Sequence, residues 1–164
     1  MSAGNQSIGN AARGNWIKWL VVTIVLAAIA FLASPNGPLG GFWRPSADFP
    51  QPTAGQLPWF VLLNVAESLT FGFGIAYLIF GYPLIRNILP ASRNLTLAAH
   101  LSIAWLLFSW WPHDSLHVAN GMNMNGLLAI EYGFHVTLMV TGAILAFFVL
   151  ALVRQRAPGS QATR

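Results

Sequence analysis

Long apolar stretches alternate with short segments rich in polar, Pro or Gly residues along this chain. Four stretches stand out, at about 16–33, 57–80, 95–111 and 126–153. A helix rises ~1.5 Å per residue, so about 20 apolar residues cross a ~30 Å hydrocarbon layer. The pattern predicts four membrane-spanning helices, the third short and the fourth long enough to tilt or protrude. "SPNGPLGGFWRPSADFPQPTAGQLP" should be irregular, and "GYPLIRNILPASRN" a short turn bounded by Pro83 and Pro90. The ends, 1–15 and 154–164, read as flexible tails.

Composition agrees. Of 164 residues 55% are hydrophobic and only 7% charged, too few to cover a water-soluble domain of this size. The expected fold is all-α, a polytopic bundle of four transmembrane helices in a lipid bilayer. Cysteine is absent, which excludes disulfides, thiolate metal sites and cysteine nucleophiles. The net charge of +4 comes without a dense basic run, so nucleic acid is not an expected partner.

The basic residues set an orientation. With the N-terminus in the cytoplasm, Arg13, Lys18, Arg86, Arg93, Arg154, Arg156 and Arg164 fall inside and only Arg44 outside. Both termini are then cytoplasmic in a cell-membrane protein. Trp43, Trp59, Trp110 and Trp111 lie near the outer interface, and Trp16 and Trp19 near the inner one. An alternative for the first stretch is a cleaved signal peptide, because a basic start and an apolar run lead into "AIAFLAS".

Seven of the eight acids and histidines lie in the second to fourth spans or the loop "WWPHDSLHVANGMNMNG": Glu67, His100, His113, Asp114, His117, Glu131 and His135. Counted from the outer ends of the spans, Glu67, His100 and His135 lie ~13–16 Å deep and Glu131 ~8 Å deep. Residues four apart share a helix face, which pairs His113 with His117 and Glu131 with His135. Polar and small residues at helical spacing mark expected bundle-facing stripes. In the second span these are Asn64, Glu67, Ser68, Phe71 and Gly74; in the fourth they are Glu131, His135, Met139, Gly142 and Ala146.

No Lys or Arg is placed to compensate Glu67 and Glu131, and an unpaired carboxylate in lipid costs several kcal/mol. Protonation, pairing with histidinium, or a shared metal ion would each relieve that cost, and the metal uses every group. The expected site is therefore a transition-metal centre of His113, His117, Glu131 and His135 near the outer face. Asp114 would be a further ligand or orienting group, and Glu67 and His100 the deeper wall. Imidazole and carboxylate donors suit Zn, Fe or Cu, and Met122 and Met124 could add soft donors. The carboxylate-bundle spacing Glu-x-x-His and the protease motif His-Glu-x-x-His are both absent. Haem clamped by His100 and His135 is a second option. The functions this admits are metal-dependent redox or hydrolytic chemistry or metal handling, an accessory or assembly subunit of a larger membrane complex, and a small proton-linked transporter.

Overall fold

The computed structural model describes residues 3–89 and 92–156, with side chains described from Trp16 onward. The described residues form helices joined by turns and one long loop. In chain order these are α1 (Ala3–Ala33), α2 (Leu57–Phe80), α3 (Tyr82–Ile88), α4 (Arg93–Phe108), α5 (Trp110–Asn120), α6 (Met124–Glu131) and α7 (Thr137–Arg156). A 3-10 turn, Gly40–Trp43, interrupts the α1–α2 loop, and a π-helical turn, Tyr132–Val136, links α6 to α7.

Three segments are long and apolar enough to cross a membrane: Trp16–Ala33, Leu57–Phe80 and Met124–Arg156. The pair α4 and α5 makes a fourth if taken as one span, bent by 46°. The bend follows from Pro112. Proline has no N–H for the carbonyl of Phe108, and its ring collides with the preceding turn of a continuous helix. The helix therefore stops at Phe108 and restarts at Trp110, with Pro112 tolerated in the new first turn.

The packing order is α1 on α2, α2 on α4, and α4 on α7. Helices approach closely where side chains are small. A Cβ on Gly72 would sit 2.2 Å from the carbonyl oxygen of Thr23, so α1 and α2 meet backbone to backbone there. The buried cluster gathers Tyr77, Ile85, Leu89, Ala99, Ala104 and Phe148, with Trp19, Leu107 and Leu145 against it. Large apolar side chains such as Leu20, Leu62, Leu101 and Leu150 point outward, as lipid-facing positions do.

Several elements differ from the sequence expectation. The stretch read as a short turn after α2 contains α3, because Pro83 falls in its first turn, where a missing N–H costs nothing; Pro90 lies outside the described residues. The first helix reaches back to Ala3, through the stretch read as a tail, as cooperative helix extension favours. The other expected tail is helical to Arg156, and 157–164 lies outside the described residues. The stripe expected to face the bundle in the fourth span does not. Met139, Gly142 and Ala146 are exposed, and a Cβ on Gly142 would meet nothing within 4 Å. The packed face of α7 is Thr141, Leu145, Phe148 and Leu152, at spacings of three and four. In α2 the expected stripe does turn inward: Ser68 and Gly74 are buried, and Asn64, Glu67 and Phe71 are half-buried.

Candidate metal centre

Gly121 turns the chain between α5 and α6 at φ 59°, a conformation that side-chain-bearing residues rarely adopt. Asn123 then caps α6, its Oδ1 accepting from the N–H groups of Asn125 and Gly126 at 3.1 and 3.3 Å. The two helices lie side by side, α5 presenting His113 and His117 and the α6–π segment presenting Glu131 and His135.

One donor atom each from His113, Glu131 and His135 lies within 4.8 Å of the others. Three ligands about 2.0–2.2 Å from one ion stand ~3.4–3.8 Å apart, so the set closes by up to about 1.4 Å when it takes an ion. His117 stands beside them. Its Nε2 is 3.2 Å from His113 Nε2 and 3.6 Å from Glu131 Oε1. The edge of a tetrahedral ligand set is ~3.4 Å at these bond lengths, so the first separation suits two ligands of one ion.

The donors pair with one another. His135 Nδ1 makes a close contact with Glu131 Oε2, leaving Glu131 Oε1 toward His117. His113 Nδ1 lies 2.8 Å from Asp114 Oδ1, and donation along that bond leaves Nε2 with a free lone pair. A carboxylate behind a histidine in this way fixes the ring and raises its basicity. Asp114, its side chain 43% exposed, also lines a cavity together with Glu67. The side chains of His113 and His117 are 12% and 26% exposed and those of Glu131 and His135 43% and 49%, so the cluster is closed on the α5 side and open on the α6 side.

An aromatic floor lies beneath it. The ring of Phe134 is 5.1 Å from that of His113 and stacks on Trp105 at 5.7 Å. Trp105 Nε1 donates to Thr137 Oγ1 at 3.0 Å, and the Thr137 hydroxyl reaches the carbonyls of Gly133 and Phe134 at 2.7 and 2.8 Å. The wide π-helical turn frees carbonyls that an α-helix would use, and Thr137 answers them. Phe134, Trp105 and Thr137 escape a sequence search for polar donors; the only hint is that Phe134 and Thr137 stand three apart on either side of His135.

His100 is not brought to the cluster. Its Nε2 lies 3.1 Å from the carbonyl oxygen of Leu78, and its ring packs on Tyr77 and Tyr82 at the far end of α2. About 16 Å of helix separates Leu78 from Glu67. Level-counting fails because it takes Trp111 as the outer end of the span, whereas α5 carries the chain on to Asn120 and leaves His100 farther from that end, near α3. A haem clamp between His100 and His135 is not formed. Met122 and Met124 are exposed, at 60% and 72%.

The long α1–α2 loop folds over the other side of α5. Ser46 N–H donates to the carbonyl of Val118 at 3.0 Å, and Asp48 Oδ2 accepts from the N–H of Met122 at 3.2 Å. The Ser46 hydroxyl and the Met122 N–H hold the Asp48 carboxyl below its usual value. Trp43 Nε1 reaches the carbonyl of Ala33 at 2.6 Å and Trp111 Nε1 that of Ala30 at 3.1 Å, while the two rings meet edge to face. Trp59 and Trp110, by contrast, are exposed. No protein family, curated protein or solved structure matches the chain.

Proposed function

We propose that this is a polytopic membrane protein with a transition-metal centre at its extracytoplasmic face, built on His113, Glu131 and His135 with His117 as the fourth ligand. The observation that carries the reading is the convergence of two imidazoles and a carboxylate within 4.8 Å, from two segments joined through the Gly121 turn. Imidazole and carboxylate donors without thiolate suit Zn, Fe or Cu. Asp114 acts behind His113 as the orienting carboxylate.

Both termini face the cytoplasm in this reading, and α4 with α5 forms the fourth span. About 28 Å of helix separates His135 from Arg154. With Arg154 at the inner edge of a ~30 Å layer, the cluster stands at the outer edge rather than deep within it. Ligands there can be desolvated on the Phe134 side and exchange ions with water on the other. That placement supports metal handling, or redox or hydrolytic chemistry on a molecule reaching the open side of the cluster. Metal content of the purified protein tests the reading: about one equivalent of Zn, Fe or Cu per chain in wild type, and none in the His113→Ala/His135→Ala double variant. A wild-type protein that takes up no transition metal after incubation with each ion would sink it.

A second reading, an accessory subunit of a larger membrane complex, draws on the open side itself. Glu131 and His135 stand half-exposed beside Tyr132 and Met139, each 66% exposed. A partner helix laid there would cover polar and apolar surface together. Purification in mild detergent distinguishes the two: a stable co-purifying subunit that survives loss of the metal favours the second.

A further inference from the structure

Beside the metal centre, with His117 in its lining, a cavity of about 430 Å³ lies between α2, α5 and the α1–α2 loop. Its volume is within the range of small-molecule sites. Phe49 and three prolines of the loop form one wall, Phe60, Leu63 and Asn64 of α2 another, and both Glu67 and Asp114 line it. The loop wall is fixed in place. Ser46 and Asp48 pin it to the α5–α6 turn, and Asn64 Nδ2 donates to Ser34 Oγ at 2.6 Å across the cavity's rim. The cavity is thus formed before any ligand arrives.

Its chemistry has a definite sign. Among the described residues no lysine or arginine lines it, while two carboxyl groups do. Two carboxylates in such proximity repel, and a cation between them turns the repulsion into attraction. The remaining surface is largely apolar, and the faces of Phe49 and Phe60 carry the negative quadrupole that attracts ammonium groups. A bare metal ion would find the two acids and His117, whose Nε2 is already turned to His113 and Glu131, and little else of use in that apolar wall. An anion would meet two carboxyl groups with no lysine or arginine beside them.

We infer that this cavity binds an organic ammonium ion, its N–H groups donating to Glu67 and Asp114 and its hydrocarbon body lying among Phe49, Phe60 and Leu63. The inference goes beyond the metal reading and does not rest on it. The occupant is a primary-amine cation about the size of an arylalkylamine, which fits the volume and supplies the hydrogen-bond donors that a quaternary ammonium lacks.

Equilibrium binding of radiolabelled phenethylamine to the full chain in nanodiscs, with empty nanodiscs subtracted, tests it. Saturable binding should be displaced by unlabelled phenethylamine but at least tenfold less well by phenethyl alcohol, and not by phenylacetate. Glu67→Gln should weaken binding at least tenfold and Phe60→Ala several-fold. Leu63→Trp, which fills the cavity, should abolish binding while leaving the metal content at the wild-type level. If Glu67→Gln does not fold, Leu63→Trp decides. No saturable binding above empty nanodiscs, equal displacement by the alcohol, or unchanged affinity in folded Glu67→Gln or Leu63→Trp would each overturn the inference. Amine binding in a protein that takes up no metal would leave this site standing and remove only the metal reading.

Discussion

Asp114 Oδ1 lies 2.8 Å from His113 Nδ1, the side chain of its immediate neighbour in the chain. Adjacent residues on a helix point about 100° apart, so this contact is made at the edge of each side chain's reach. It turns the other nitrogen of His113, Nε2, to the cluster and ties Nδ1 to a carboxyl that shares a cavity with Glu67.

Asp114→Asn therefore leaves every proposed ligand in place and removes only the orienting charge. The amide can still accept from Nδ1–H but no longer raises the basicity of the ring. Metal affinity, titrated against a chromophoric chelator, is expected to fall about 10–100-fold. An affinity equal to wild type would mean that Asp114 does not support the ligand set.

The ligands should not contribute equally. His113, Glu131 and His135 form the convergent set, whereas His117 stands at its side. His135→Ala and Glu131→Gln should abolish stoichiometric metal. His117→Ala should retain the ion with weaker binding, because water can take the fourth position. Calorimetric titration with Zn would show the ranking, and a His117 variant as empty as the His135 variant would promote His117 to a full member.

Gly121→Ala should loosen the whole α5–α6 end. The φ of 59° is strained for alanine, and the added Cβ would stand 2.1 Å from Asp48 Oδ1. A cost of about 1–3 kcal/mol is expected, read as a lower thermal midpoint in detergent. Faster chymotryptic cleavage at Phe42 and Trp43 should accompany it, since the displaced carboxyl anchors that loop through its other oxygen.

Asp48 gives a pH dependence with a known sign. Its folded value is held below the ordinary 3.8 by the Ser46 hydroxyl and the Met122 N–H. The stabilisation is therefore fully present above 3.8 and is lost as pH falls through the lower folded value. The difference in thermal midpoint between wild type and Asp48→Asn should be constant from neutral pH down to ~5 and should shrink below 3.8. A difference that grows on acidification would contradict the assigned contacts.

Much of the architecture is written in hydropathy. The spans around Trp16–Ala33 and Leu57–Phe80 are legible because lipid demands an unbroken apolar run. The convergence of His113, Glu131 and His135 was legible as two i, i+4 pairs flanking a short turn. His100 was misplaced because counting from one end of a span assumes that the span is straight, and Pro112 makes it two helices. The face of α7 was misread for a related reason: Gly and Ala mark close packing only where another backbone arrives, and none approaches Gly142. The cavity could not be read at all, since its walls come from a loop without periodicity.

The π-helical turn at Tyr132–Val136 acts as a phase shifter. An α-helix that gains one residue while its flanks stay fixed bulges into such a turn. Taking that residue away would rotate α6 by about 100° against α7. Because Thr141, Leu145 and Phe148 hold α7 against its neighbours, the rotation would fall on α6 and swing Glu131 away from His113. The bundle and the polar cluster thus obey two helical phases, reconciled by one extra residue. A one-residue deletion there would part them, sparing the scaffold and dispersing the cluster.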